Sequence, residues 1–226
     1  DLAPTFLELA CISSSKAGMQ PITGKSLTDI LFSDKSGTVN PNRNYTLVGQ
    51  ERHDVGRPND EGYPIRGIVK DGYMYLRNYK TDRWPMGNPE TGYLNTDGSP
   101  TKTFILNTRR QHGNWYFWQL NFGKRYAEEL YDIQNDPFCM SNLAADKKHA
   151  SLKEKLNSFM VQKLLEQKDP RMFGNGDVFD KYEYAGDVKN FYNRFMSGET
   201  VTAGWVNKTD FDADLQDKKT EPNQQK

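Results

Sequence analysis

Cysteine is nearly absent from this chain. Cys11 and Cys139 are the only two in 226 residues, too few for a disulfide scaffold and too far apart for a metal framework. They are expected to be free, buried thiols that behave as small apolar residues. Histidine is equally scarce: His53, His112 and His149 share no ligand spacing, which argues against a zinc site built from this chain alone. No run of 18 apolar residues occurs, so no helical membrane span is expected. The chain opens Asp1-Leu2-Ala3-Pro4 without an initiator Met, and no basic n-region precedes an apolar stretch. That start reads as a processed or excised piece. Neither sign of charge is in surplus, with 30 Lys plus Arg against 30 Asp plus Glu, which removes any general electrostatic reason to expect nucleic acid or an anionic membrane as partner. No internal repeat is visible. Gly24-Lys25-Ser26 looks like the end of a P-loop, but Met19 stands where the upstream glycine belongs.

What is present is polar but not disordered. Hydrophobic residues make up 35% and mean hydropathy is −0.87, yet aromatics reach 12%, far above the aromatic-poor composition of disordered chains. Apolar spacing predicts a helix over residues 1–12, with Leu2, Phe6, Leu9 and Ala10 forming a stripe that must bury against something. A loop follows, then a short segment from Leu27 to Phe32 capped by Thr23 or Ser26. Tyr45–Gln50, Ile65–Lys70, Tyr73–Tyr79 and Glu128–Ile133 read as strands, and Asp71-Gly72 between the second and third is a strong hairpin signal. Residues 101–110, 115–122 and 147–167 read as helices; the last carries Leu152, Leu156, Phe159, Met160 and Leu164 on one face. Residues 80–101 form a long loop whose Trp and Tyr argue for packing. A short helix over 187–196 precedes a tail, Asp212–Lys226, that lacks any apolar period and reads as disordered. The fold class is therefore α+β: about four antiparallel strands packed against one long C-terminal helix. The organisation expected is a helix and linker over 1–44, a main subdomain over 45–186, and a short helix with a polar tail over 187–226.

One stretch concentrates polar chemistry. Gly49-Gln50-Glu51-Arg52-His53 places a carboxylate, a guanidinium and an imidazole where a strand enters a loop rich in Asp, Gly, Pro and Asn. A solvated strand end would look like this, and so would the rim of a site for an anionic or hydroxyl-rich ligand. Arg66, Arg83 and Trp84 are further candidates; ion pairing and core packing are the structural readings for these three.

Several stretches resemble the C-terminal part of the type I sulfatases, the formylglycine-dependent enzymes of the alkaline-phosphatase superfamily. The helix Asp1–Ala10, then Ile22-Thr23-Gly24-Lys25-Ser26-Leu27, then Glu129-Leu130-Tyr131-Asp132-Ile133 with Asn135-Asp136-Pro137 and Asn142-Leu143-Ala144, agree with that family in order and spacing over roughly residues 1–185. Tyr63-Pro64-Ile65-Arg66, Thr96–Thr101, Arg77-Asn78-Tyr79, Asp82-Arg83-Trp84-Pro85 and Asp169-Pro170-Arg171 are similar to the heparan N-sulfatase (sulfamidase) group and its bacterial members.

The family's nucleophile motif has no counterpart here. Cys11-Ile12-Ser13-Ser14-Ser15 comes nearest but lacks the arginine, and the family's metal-binding and acid–base residues lie upstream of the matched part. The resemblance thus implies no catalytic and no metal-binding residue in this chain, with calcium and a formylglycine expected in the full-length enzyme. It implies a missing N-terminal catalytic domain and a sulfated, glycosaminoglycan-like saccharide as partners, and a periplasmic or secreted location. It places Glu51, Arg52 and His53 beside the substrate. The alternative is a free-standing carbohydrate-binding module with Trp84, Trp115 and Trp118 as sugar platforms; an inactive homologue is a third reading.

Overall fold

Asp71 and Gly72 adopt φ angles of 52° and 81°. Two successive left-handed residues are what a two-residue hairpin turn needs, and they join β2 (Ile65–Lys70) to β3 (Tyr73–Asn78) in the register Lys70↔Tyr73 through Ile65↔Asn78. The computed structural model, which describes residues 1–212, sets this hairpin at the centre of a four-stranded sheet in the order β1-β2-β3-β4, with β1 at Tyr45–Gln50 and β4 at Glu128–Asp132. β4 pairs antiparallel to β3, so Tyr75 lies between Ile68 and Leu130, all three fully buried. The remaining helices are α1 (Leu2–Leu9), α2 (Thr28–Leu31), α3 (Pro100–His112), α4 (Tyr116–Phe122), α5 (Ala150–Glu166) and α6 (Phe191–Met196). The chain divides into two compact units, Asp1–Thr46 and the part from Leu47 onward.

In the first unit, Thr5 knits α1 to the segment before α2. Its hydroxyl donates to the Asp1 carbonyl at 2.7 Å and accepts from the Leu27 amide at 2.8 Å. The Asp1 carboxylate accepts from the Lys25 amide at 2.8 Å. The N-cap of α2 is Leu27, without a side-chain cap, rather than Thr23 or Ser26; the Ser26 hydroxyl, one residue before it, accepts from the Thr28 amide at 3.3 Å. Two further expectations fail here. α1 stops at Leu9, and its stripe is exposed, with Leu2 at 63%, Phe6 at 64% and Leu9 at 51%. Cys11 is exposed rather than buried; both cysteines are free thiols.

In the second unit the sheet has two different faces, because side chains alternate along a strand. One face, with Ile68, Tyr75 and Leu130, is covered by α5, which buries Leu156, Met160 and Leu164 against β2 and β3. Leu152 and Phe159 of the expected stripe are only half-buried. The opposite face carries Ile65, Met74, Leu76, Asn78, Glu129 and Tyr131 and borders a cleft. Beyond that cleft the long loop packs on α3 and α4: Trp84, Tyr93, Leu106, Trp118 and Phe122 form a common core. Ser99 caps α3 by accepting from the Lys102 amide at 3.1 Å, and Gly113, at φ 63°, ends it.

The polar C-terminal stretch differs from expectation. Ala203 joins Val55, Leu94 and Phe191 in a further core, flanked by Val201, Trp205, Val206 and Phe211. Asp210 and Asp212 are buried. Asp210 faces the buried Lys102 ammonium at 3.3 Å, and Asp212 binds Arg109 at 2.7 Å, Arg110 at 2.5 Å and the Tyr93 hydroxyl at 2.7 Å. Asp212, read from sequence as the start of a free tail, is therefore an anchor. The segment has no period because it is not a helix or strand, and its charges are paired across the chain. The rest of the expected tail, residues 213–226, lies outside the described residues.

Candidate functional site

β1 ends at Gln50, and the chain turns into Glu51, Arg52 and His53. Glu51 does not face solvent freely. Its carboxylate accepts from Arg66 at 2.5 Å and takes a two-pronged grip from Arg171, at 3.0 and 2.7 Å. Arg66 in turn grips Asp169, at 2.5 and 3.2 Å, and Asp169 also accepts from the Arg171 amide at 2.9 Å. Three ion pairs thus run Asp169–Arg66–Glu51–Arg171, and the Arg171 backbone amide closes them into a ring, on the α5 side of the sheet where Arg66 and Ile68 share a face. Burial pushes the Asp169 carboxyl up, but the Arg66 hydrogen bonds, the Arg171 amide and both positive charges outweigh it and hold the group below the usual carboxylate range. Such fork-to-carboxylate pairs are strong and directional.

The neighbours of this ring have separate tasks. Arg52 donates to the carbonyls of Asp60 at 3.2 Å and Tyr182 at 2.9 Å, with the Tyr184 ring 5.8 Å away. His53 is exposed and lines the cleft. Arg83 grips Asp180 at 2.9 and 3.2 Å, meets Glu61 at 3.1 Å and donates to the Gly62 carbonyl at 2.8 Å. Trp84 is a core residue, only 8% exposed and packed edge-on against Trp118. Of the six residues singled out from sequence, the structure joins Glu51 to Arg66, gives Arg52, Arg83 and Trp84 to protein partners, and leaves His53 open to the cleft. Trp84 and Trp118 cannot serve as sugar platforms, because their faces are buried; Trp115 is 39% exposed and has the Arg109 guanidinium over its ring.

The cleft itself has a volume of about 1330 Å³ and runs across the open face of the sheet. Ile65, Met74 and Leu76 give it an apolar floor; His53, Lys124, Arg125 and Lys153 add cationic or protonatable groups, Glu128, Glu129 and Asp146 add carboxylates, and Cys139 and Asn142 also line it. Lys124 also sits 4.9 Å from the centre of the Trp84 ring. At the back, Tyr63 is 1% exposed and, among the described residues, its hydroxyl has no hydrogen-bond partner. Burial, then the Glu129 charge, push the Tyr63 phenol upward, so it stays a donor at neutral pH. Glu129 is already occupied, accepting from Asn78 at 2.8 Å and from the Tyr131 hydroxyl at 2.6 Å. Arg57, 1% exposed, staples the two loops behind the cleft by donating to the carbonyls of Trp84, Pro85 and Glu61 at 2.7, 2.7 and 3.2 Å. Burial and the nearby Arg83 lower its pKa to about 10.

Chemically, the cleft offers Lys124, Arg125 and His53 to an anionic group over an apolar floor, while its carboxylates Glu128 and Glu129 are already engaged by Lys153, Asn78 and Tyr131. Among the described residues no three His, Cys, Asp or Glu group so as to hold a metal ion, and no helix is long and apolar enough to cross a membrane. Sequence reasoning missed Lys124, Arg125 and Arg57, which carry no local pattern, and Tyr63 stood out only within the family-like stretch Tyr63-Pro64-Ile65-Arg66. Asp169 and Arg171 stood out only as part of a family-like stretch.

No protein-family model matches the chain. By sequence it is 32% identical over 172 residues to the ulvan-active sulfatase of Formosa agariphila, covering 75% of this chain and 29% of that protein. It is 29% identical over 178 residues to the human N-sulphoglucosamine sulphohydrolase, covering 75% of this chain and 32% of that one. A solved structure in complex with its substrate, D-glucosamine-2-N,6-O-disulfate, superimposes with a TM-score of 0.45 at 16% identity, over 75% of this chain and 24% of that chain. The chain spans less than a third of the length of the curated relatives it matches.

Proposed function

We infer that this chain, related in sequence to the sulfatases over three quarters of its length, is the C-terminal, substrate-selecting part of an enzyme that hydrolyses sulfate esters or sulfamates on a glycan. The observation that carries the reading is the cleft with His53, Lys124 and Arg125 in its lining, beside a strand end fixed by the Asp169–Arg66–Glu51–Arg171 ring. Sulfate and carboxylate groups of a saccharide meet cations there. The two relatives matched by sequence are named as acting on ulvan and on N-sulphoglucosamine, which supports a sulfated saccharide as the substrate class.

The nucleophile belongs to another part of the longer protein. A type I sulfatase uses a formylglycine and calcium; among the described residues none group to hold the metal, and the sequence has no motif to make the formylglycine. No chemical step is assigned to its residues. Their work is to bind and orient, with a catalytic domain as partner and a periplasmic or secreted setting. The chain alone is expected to release no sulfate from any sulfated saccharide.

In the longer protein, His53→Ala combined with Lys124→Ala should lower kcat/KM on a sulfated oligosaccharide by about tenfold or more, since a hydrogen bond to a charged group is worth about 1.5–3 kcal/mol. Melting temperature should hold, because His53 is exposed. Steady-state kinetics at wild-type kcat/KM for the double variant would overturn the reading, as would turnover by the chain alone.

A further inference from the structure

A second groove lies away from the cleft, along α3. It has a volume of about 710 Å³ and is walled on one side by Ser99, Thr103, Phe104, Asn107, Thr108, Gln111 and His112, and on the other by Asn207. Not one residue lining it is Asp, Glu, Lys or Arg, in a chain where those four make up 27%. The neutrality has a structural cause. α3 carries three cations, and all three turn toward the last described segment: Lys102 to Asp210, Arg109 and Arg110 to Asp212. The opposite helical face is left with hydroxyls, amides and one ring.

That ring is Phe104, 66% exposed. Gln111 and His112 are exposed as well, and among the described residues neither side chain has an intramolecular partner. Thr108 bonds only back to the Phe104 carbonyl, at 2.8 Å. An aromatic face offers a platform for the C–H face of a pyranose, and the Gln111 amide has two donors and two acceptor sites for vicinal hydroxyls, while the Asn107 and Asn207 side chains also accept from Arg110 and from the Asp210 amide. No Asp, Glu, Lys or Arg lines the groove to select for an ionic ligand or clash with one, and His112 is the protonatable group in its lining.

We propose that this groove binds uncharged saccharide units, with Phe104 as the stacking ring and Asn107, Gln111 and Asn207 as hydrogen-bonding partners. The binding claim stands on the groove alone. Its use, holding a length of glycan chain while a sulfated residue occupies the cleft, rests on the function proposed above.

Isothermal titration of the chain with cellohexaose, a neutral β-linked hexasaccharide, tests the groove directly. Saturable binding is expected, weakened at least tenfold by Phe104→Ala and by Gln111→Ala, and retained by Phe104→Tyr. Phe138→Ala, a change at the cleft where the ring is 84% exposed, should bind as wild type. Absence of saturable binding, or equal binding by Phe104→Ala, would refute the proposal. Unfolding of Phe104→Ala would refute it too, by showing the ring to be a packing residue. Because the titration reads binding alone, lack of turnover in the longer protein leaves the groove standing, and a failed titration leaves the cleft reading standing. In the longer protein, Phe104→Ala should raise KM for a long sulfated glycan and leave kcat/KM on a monosulfated monosaccharide unchanged.

Discussion

Asp169, Arg66, Glu51 and Arg171 close a ring of alternating charge in which every carboxylate has a guanidinium on two of its sides or a guanidinium and an amide. Breaking a buried pair by removing one partner costs about 3–5 kcal/mol, since the survivor keeps its charge without compensation. Asp169 is half-buried, so Asp169→Asn should destabilise the chain by less than that amount, read as a lower urea midpoint with an unchanged slope. The pH dependence has a definite sign. Asp169 and Asp180 both titrate below their ordinary value of 3.8 in the folded chain, so each contributes stability that is present above that value and lost as the pH falls through the lower, folded one. Acid denaturation curves should flatten in this range in Asp169→Asn. The charged knot at residues 51–53 is visible in the sequence, but its meaning is not, because Glu51 meets Arg171 across 120 residues. Local spacing carries no information about such a pair, and a residue suited to a ligand by type is here consumed by the fold.

At the scale of elements, legibility follows the strength of local signals. Asp71-Gly72 specifies its turn through two left-handed residues, and the strands on either side follow from β-branched and aromatic content. The cap of α3 is equally local: Ser99 precedes Pro100 at the first helical position, where proline lacks a donor that would go unused. Ser99→Ala should cost about 1 kcal/mol, measurable by thermal melting with helicity otherwise retained. What fails is any element defined by distant partners. The stripe on α1 has good helical spacing and still lies exposed, and the stretch around Ala203–Asp212 has poor spacing and still lies in a core.

For the whole molecule, that last stretch is the most consequential misreading of composition. Its few apolar side chains cover Val55, Leu94 and Phe191, and its two acids neutralise the cations of α3. Truncation after Gly198 should leave Lys102 and Arg109 without their carboxylates and uncover the core around Leu94. A broad, non-cooperative melt by circular dichroism is the expected outcome. A sharp transition at the wild-type temperature would show that the segment is dispensable. The candidate site was legible only in part for the same reason: its cleft is assembled from the sheet, the loop before β4 and the segment after it, and only His53 among the residues chosen by type lines it.

The scarce cysteines acquire a practical use from their placement. Cys139 lines the cleft as a free thiol, and burial raises its pKa, so little thiolate exists at neutral pH. With exposed Cys11 replaced by serine, a maleimide fluorophore coupled in mildly alkaline buffer would attach at one position. The emission of that dye would then report saccharide entry optically, without any need for turnover.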